Sequence, residues 1–351
     1  MSHLISDNVH VVENDQGAIN AAYQVADFAL EGRNERDQKR LLPFAEMDLF
    51  SAKGLGGIRI PQKFGGAFVS NKTLAHVFRI LNKADSSVGQ IPQNQIALLN
   101  MINIMGTEQQ KTFIFNEILQ GKRLANGGPE RHTKDTKTLN TTLTIENNRY
   151  FVDGEKFYST GSSFAHWLAI KAIHPEGHVV LTIINREATG VEIIDNWNGF
   201  GQRTTSSGTI KLNQVEIDPF LIFDERLLSN TANYRGAYSQ LLQVAIDVGI
   251  AEAAFADTLT AVQKARPIVD AHVEKASFEH YTLQEVGKSN VLLDAAILLL
   301  DEDAEYIDEL DLLDEITDKQ AAQASILVAE AKFMPMMRPF ISSEGSGTTL
   351  T

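Results

Sequence analysis

Along the first third of the chain, apolar residues recur at helical spacing. Ala18, Ala21, Ala22, Val25, Ala26 and Ala29 make one stripe, which Gly32 ends. Further helices are predicted over residues 41–53, over 71–84 behind the capping residue Ser70, and over 96–105 up to Gly106. Thr107 with Gln110 then makes a capping box for the next helix. Near Leu124 the period shortens to two. Runs at 141–145, 150–153, 156–160, 167–173, 179–184, 191–197 and 208–217 read as strands, separated by the turn formers Asn147-Asn148, Asp153-Gly154, Glu176-Gly177 and Thr189-Gly190. After Pro219 helical spacing returns over 238–265, closed by Arg266-Pro267, and again over 281–300 and 319–332. The predicted class is α+β, with a helical domain at 1–124, a compact antiparallel β domain at 125–222 and a helical domain at 223–351.

Composition narrows the function classes. With 43% apolar and 22% charged residues the chain reads as globular and large enough for sizeable cores. It has no cysteine, which excludes disulfides, thiolate catalysis and zinc–cysteine sites. A net charge of −14 and the lack of a basic face argue against a nucleic-acid partner. No apolar run approaches the ~18 residues of a membrane span, and residues 1–32 mix acids and polar groups unlike a signal peptide, so a cytoplasmic protein is expected.

Candidate chemistry concentrates in residues 154–168. Phe157, Tyr158, Ser159 and Thr160 alternate ring and hydroxyl in a strand-like run; a planar, polar-edged ligand and an ordinary buried strand end both fit this pattern. Gln90, Gln93, Asn94 and Gln95 cluster before an apolar helix, either as a pocket lining or as a solvated helix entrance. The glycine cluster at 54–57 follows a helix rather than a strand and has no βαβ unit behind it, so it does not read as a phosphate loop. No metal ligand set is expected, since Pro175 and Gly177 break any helix joining His174 to His178. The acids at 301, 302, 303, 305, 308, 309, 311, 314, 315 and 318 face no base in the sequence and read as a solvated loop or helix rim.

Several strings, in combination, resemble the acyl-CoA dehydrogenase superfamily. They are Gly57-Ile58-Arg59-Ile60-Pro61 with Phe64-Gly65-Gly66, Lys156-Phe157-Tyr158-Ser159-Thr160-Gly161, the run from Trp197 to Thr205, and Ser207-Gly208-Thr209. Ser87-Val88-Gly89-Gln90-Ile91-Pro92-Gln93-Asn94, Ala265-Arg266-Pro267 and Tyr281-Thr282-Leu283 are similar to one branch, the flavin-dependent monooxygenases of sulfur acquisition. The resemblance spans about residues 20–332 and implies an acyl-CoA dehydrogenase-like fold. It also implies that Tyr158, Ser159 and Thr160 lie along a flavin ring, that Asn126 and Gly127 sit near its reactive face, and that Trp197, Gln90 and Asn94 line the substrate pocket. Arg266 matches an arginine that reaches the flavin phosphate of a neighbouring subunit, which implies a homo-oligomer, a tetramer.

Two chemistries run on such a scaffold. A dehydrogenase, using FAD, needs a carboxylate to take the α-proton of an acyl thioester. One family position for that base falls at Tyr238-Ser239-Gln240, which offers no acid, and the other falls beyond residue 351. A monooxygenase receives reduced FMN from an NAD(P)H-dependent flavin reductase and needs ring-edge donors and an apolar cavity. The expected function is therefore a reduced-flavin-dependent monooxygenase of a small organosulfur compound, with an FAD-dependent acyl-CoA dehydrogenase and a catalytically silent flavin-binding remnant as alternatives. Against the family pattern the C-terminal domain reads as incomplete. Pro335 and Pro339 are expected to interrupt the last helix, and the histidine the family assigns to the oxygen step, so far as the pattern goes, lies past the end.

Overall fold

The computed structural model describes residues 9–135, 138–230 and 232–345, with backbone alone over 334–345. The N-terminal part is helical: α1 (Asp15–Leu30), α2 (Arg33–Lys39), α3 (Phe44–Ala52), α4 (Asn71–Ala84), α5 (Ser86–Gln90), α6 (Gln93–Met105) and α7 (Glu108–Leu119). The alanine stripe of α1 is buried as its spacing predicts. The Ser70 hydroxyl accepts from the Thr73 amide, and Thr107 with Gln110 closes the capping box.

A sheet follows, made of β1 (Leu124–Gly127), β2 (Thr142–Glu146), β3 (Arg149–Lys156), β4 (Trp167–Ile173), β5 (Val179–Asn185), β6 (Val191–Ile194), β7 (Thr209–Ile217) and β8 (Ile222–Asp224). Its order is β6-β7-β3-β2-β4-β5-β8, with β1 added to β4. Most neighbours are antiparallel, but β1 runs parallel to β4, so the sheet is mixed. Asp153-Gly154 does not end a strand, as its turn-like composition suggests. β3 runs through it with a shift in register against β7, and Gly154, at φ 151°, passes so close that a Cβ would strike the Thr141 side chain.

The chain ends in three long helices, α8 (Arg235–Lys264), α9 (His280–Asp311) and α10 (Asp318–Gly345). α4 packs against α1, α8 and α9, so one apolar core joins the first and last parts of the chain. Here two expectations are corrected. The backbone of α10 continues helically through Pro335 and Pro339; each removes one amide donor, but proline's fixed φ is itself helical and the remaining ladder carries on. Most of the acidic run lies in α9, so of the two expected forms it is the helix rather than the loop, but it does not lack bases: the fold supplies partners from more than two hundred residues away. Arg59 Nη2 meets Asp311 at 2.6 Å, Lys72 meets Glu305 at 2.6 Å, and His76 meets Asp301 at 2.7 Å. Asn71 adds bonds to Asp308 and Asp311, and the Tyr234 hydroxyl donates to Asp311.

Arg59 and Asp311 are nearly buried, so removing one partner strands the other charge. Arg59→Met is expected to lower stability by about 3–5 kcal/mol in urea unfolding. The double variant with Asp311→Asn should lose less than the sum of the two single changes.

Candidate functional site

Beyond Lys156 the chain leaves the sheet. The expectation of a strand over residues 156–160 fails because successive amides are drawn to different segments: Phe157 N donates to Pro129 O (2.9 Å), Ser159 N to Gly208 O (3.2 Å) and Gly161 N to Thr205 O (3.0 Å). Tyr158 consequently takes φ 56° and Gly161 φ 81°. Phe157 is buried beneath the Arg131 guanidinium, whereas Tyr158 is 54% exposed and sets its ring edge-on to Trp197 at 5.9 Å. The rings and hydroxyls therefore belong to a loop, not to the two faces of a strand.

That loop meets a second one. Thr160 Oγ1 lies 2.8 Å from Ser207 Oγ, which lies 2.8 Å from Thr205 Oγ1; Thr205 donates to the Gln202 carbonyl at 3.1 Å. The same carbonyl accepts from Trp197 Nε1 at 3.0 Å. Gln202 Nε2 reaches across to the Ser86 carbonyl (3.1 Å) and Gln90 Oε1 (3.4 Å) at α5. Tyr158, Thr160, Trp197 and Gln90 are thus brought into one patch, and Ile91 packs beside Gly161. Ser159 is fully buried and its hydroxyl has no hydrogen-bond partner among the described residues.

Asn126 and Gly127 end β1, with Gly127 packed on Ile170. The segment they open is fastened to the end of β3 by a buried ion pair, Lys156 Nζ to Glu130 Oε1 at 2.7 Å, with Nζ also 3.3 Å from the Gly128 carbonyl. Burial would push the Glu130 carboxyl up, but Lys156 and the Asn140 and Thr141 amides hold it below its usual range. Burial also draws the Lys156 ammonium down, against the pull of Glu130. The sequence reading missed this pair; its one signal is a lysine standing inside an alternating run.

The four amides do separate tasks. Gln95 is buried, donating to the Gly56 carbonyl (2.9 Å) and accepting from Leu124 N (3.0 Å), and Gln93 is buried against Ser239 Oγ at 3.5 Å. Gln95 also accounts for the glycine cluster, since a Cβ at Gly56 would lie 2.7 Å from its Nε2. Asn94 is half-buried on the first turn of α6. Arg266 is exposed just past α8 and does not join the loops.

A clamp sets where β1 starts. Arg123 N donates to His166 Nδ1 at 3.0 Å, while its guanidinium binds the Phe164 carbonyl (2.7 Å), the Met47 carbonyl (3.1 Å) and Asp48 (3.0 Å). Burial foremost, then the Arg123 charge, pulls the His166 imidazole down to about 4.

Residues 20–122 match the acyl-CoA dehydrogenase N-terminal domain. The fold over 92% of this chain superposes with a TM-score of 0.85 on 84% of an FMN-bound protein, TdsC from Paenibacillus sp. A11-2, at 23% identity. The chain has an acyl-CoA dehydrogenase-like fold. In sequence it is 25% identical over 314 residues to a dibenzothiophene monooxygenase of Mycolicibacterium goodii, covering 85% of this chain and 75% of that protein. It is 26% identical over 279 residues to SfnC of Pseudomonas putida, described as a probable FMNH2-dependent monooxygenase, covering 78% and 69%. Among the described residues no helix is long and apolar enough to cross a membrane.

The clamp makes a pH prediction. The unfolded imidazole takes a proton near 6.5 and the folded one only near 4, so stability present above 6.5 is lost as pH falls through that window. The loss is at most about 3 kcal/mol, less what solvent reaching this half-buried ring screens. Urea unfolding at neutral pH and near pH 4 should show a smaller loss for His166→Asn than for the wild type.

Proposed function

We propose that the protein is a monooxygenase that uses reduced FMN, delivered by a separate NAD(P)H-dependent reductase, to oxygenate a small organosulfur compound. The observation that carries this reading is similarity along most of the chain to enzymes described as dibenzothiophene and FMNH2-dependent monooxygenases. FMN rather than FAD is favoured by the FMN-bound structure of the same fold.

The residues present fit a flavin. The exposed Tyr158 ring, the relay Thr160–Ser207–Thr205 and the orphaned Ser159 hydroxyl offer a flat surface edged by neutral donors and acceptors. When bound, reduced flavin supplies the two electrons that activate dioxygen. The role of Tyr158, Ser159 and Thr160 is to bind and orient the ring. Asn126 and Gly127 border it from β1, while Trp197, Gln90 and Asn94 close the substrate side and exclude water. Arg266 would reach the flavin phosphate of a second subunit, in a tetramer, which suits its exposure here. We place the enzyme in the cytoplasm. The acyl-CoA dehydrogenase reading is disfavoured by Ser239, which stands at the base position and is engaged by Gln93.

The test is an assay of purified protein with NADH, FMN, a flavin reductase and dibenzothiophene or a small alkyl sulfone or sulfinate under labelled dioxygen. One labelled oxygen atom in the product is expected. Dye reduction driven by an acyl-CoA without a reductase would overturn the proposal in favour of the dehydrogenase; flavin binding without any oxygenation would favour the silent remnant. Thr160→Ala is expected to weaken FMN binding about fivefold, the worth of one net hydrogen bond.

A further inference from the structure

The β4–β5 hairpin ends in a donor set that the flavin reading does not use. Ile173 pairs with Val179, and the turn beyond is closed by His174 N to His178 O at 2.8 Å and Gly177 N to His174 O at 2.7 Å. His174 and His178 therefore stand opposite each other on one face. Their rings stack at 4.5 Å between centroids, tilted by 29°. Glu176, at the crest, puts Oε2 3.9 Å from His174 Nδ1 and 3.8 Å from His178 Nδ1. One ligand atom from each of the three lies within 4.8 Å of the others. His178 Nδ1 is buried and has no hydrogen-bond partner among the described residues, an unmet acceptor or donor in a polar turn. The proline and glycine that exclude a helical His-x3-His site are the residues that shape this hairpin.

We propose that His174, Glu176 and His178 bind a divalent transition cation of the zinc type. Two imidazoles and one carboxylate suit zinc, nickel or copper, and not the all-oxygen preference of magnesium or calcium. Zinc bonds of about 2.0–2.2 Å put ligand atoms roughly 3.3 Å apart in a tetrahedron, so the Glu176–histidine separations must close by about half an ångström and the two histidine nitrogens by up to about 1.5 Å. The Glu176 side chain is 70% exposed and free to swing. The cation also has to displace the Glu176 amide from His174 Nδ1, a contact of 3.2 Å. Asp224, which β8 brings beside Val180, adds negative charge near His178, though Arg226 holds that carboxylate. The site occupies the far end of β4 from His166, roughly 20 Å along the strand. It is therefore separate from the loops around Tyr158.

Zinc chloride titrated calorimetrically into the tag-free chain, without flavin, tests this independently of the proposed oxygenation. One saturable equivalent is expected. His174→Asn and His178→Asn should each weaken it by about tenfold or more, and Glu176→Gln by less. These side chains sit at a hairpin tip, so thermal melts of the variants should match the wild type. In the wild type, histidine ring protons of this pair should shift on zinc addition. No saturable binding up to about millimolar zinc, or affinity unchanged in both histidine variants, would overturn the site. Ring signals of His174 and His178 that ignore zinc would do the same even if a variant failed to fold.

Discussion

A lysine with no exposure to water, Lys156, decides how the two halves of the candidate site meet. Its ammonium is anchored to Glu130 and the Gly128 carbonyl, and Glu130 accepts the Asn140 and Thr141 amides at 2.7 and 3.0 Å. Three stretches far apart in sequence, after β1, before β2 and at the end of β3, thus share one charge pair. The next residue, Phe157, donates to the Pro129 carbonyl, so the chain leaves the sheet at a fixed point and the loop that follows inherits its position. Breaking such a pair costs several kcal/mol, whereas replacing both partners by well-packed apolar groups can cost little. Its worth is in fixing register as much as in adding stability.

The opposite wall of the patch is fixed by a second buried network. Arg36 bridges Glu46 at 2.7 Å and Asp85 at 2.8 Å, and Asp85 caps α5 by accepting the Ser87 and Val88 amides. α5 carries Gln90 to Gln202, so the distance between the helical layer and the 197–207 loop depends on an arginine that never approaches the patch. Arg59 with Asp311 does the same for the contact between α4 and α9 through Asn71. Charges hold the frame, and neutral groups line the patch.

What the sequence makes legible follows from the range of the interactions. The alanine face of α1, the Ser70 cap and the Thr107–Gln110 box are local, and their residues identify them directly. Asp153-Gly154 misleads because the same dipeptide serves a turn and a bulge; only the neighbouring β7 and Thr141 decide between them. The bases that answer the acids of α9 lie too far away in sequence to be paired with them by inspection. At the candidate site the residue types were readable and the conformation was not. Tyr158 has strand propensity, and it takes a left-handed φ because its neighbours' amides bind two separate segments, one at Pro129 and one at Thr205 and Gly208.

The character of the patch bears on which chemistry it suits. Tyr158, Thr160, Trp197, Gln202, Thr205, Ser207 and Gln90 are all uncharged, and the hydrogen bonds of all but Tyr158 link one loop to the other and to α5. Thr205 donates to the Gln202 carbonyl, which anchors one end of the hydroxyl chain, and Thr160 at the other end can meet a ring edge without a buried charge to be desolvated. Proton abstraction from a thioester needs the reverse, a carboxylate held against the substrate, and the helix position for it presents Ser239 bonded to Gln93. A neutral, donor-rich surface with the ionic pairs kept one layer behind suits the edge of a flavin ring, and with a serine rather than a carboxylate at position 239 it fits the proposed oxygen transfer better than dehydrogenation.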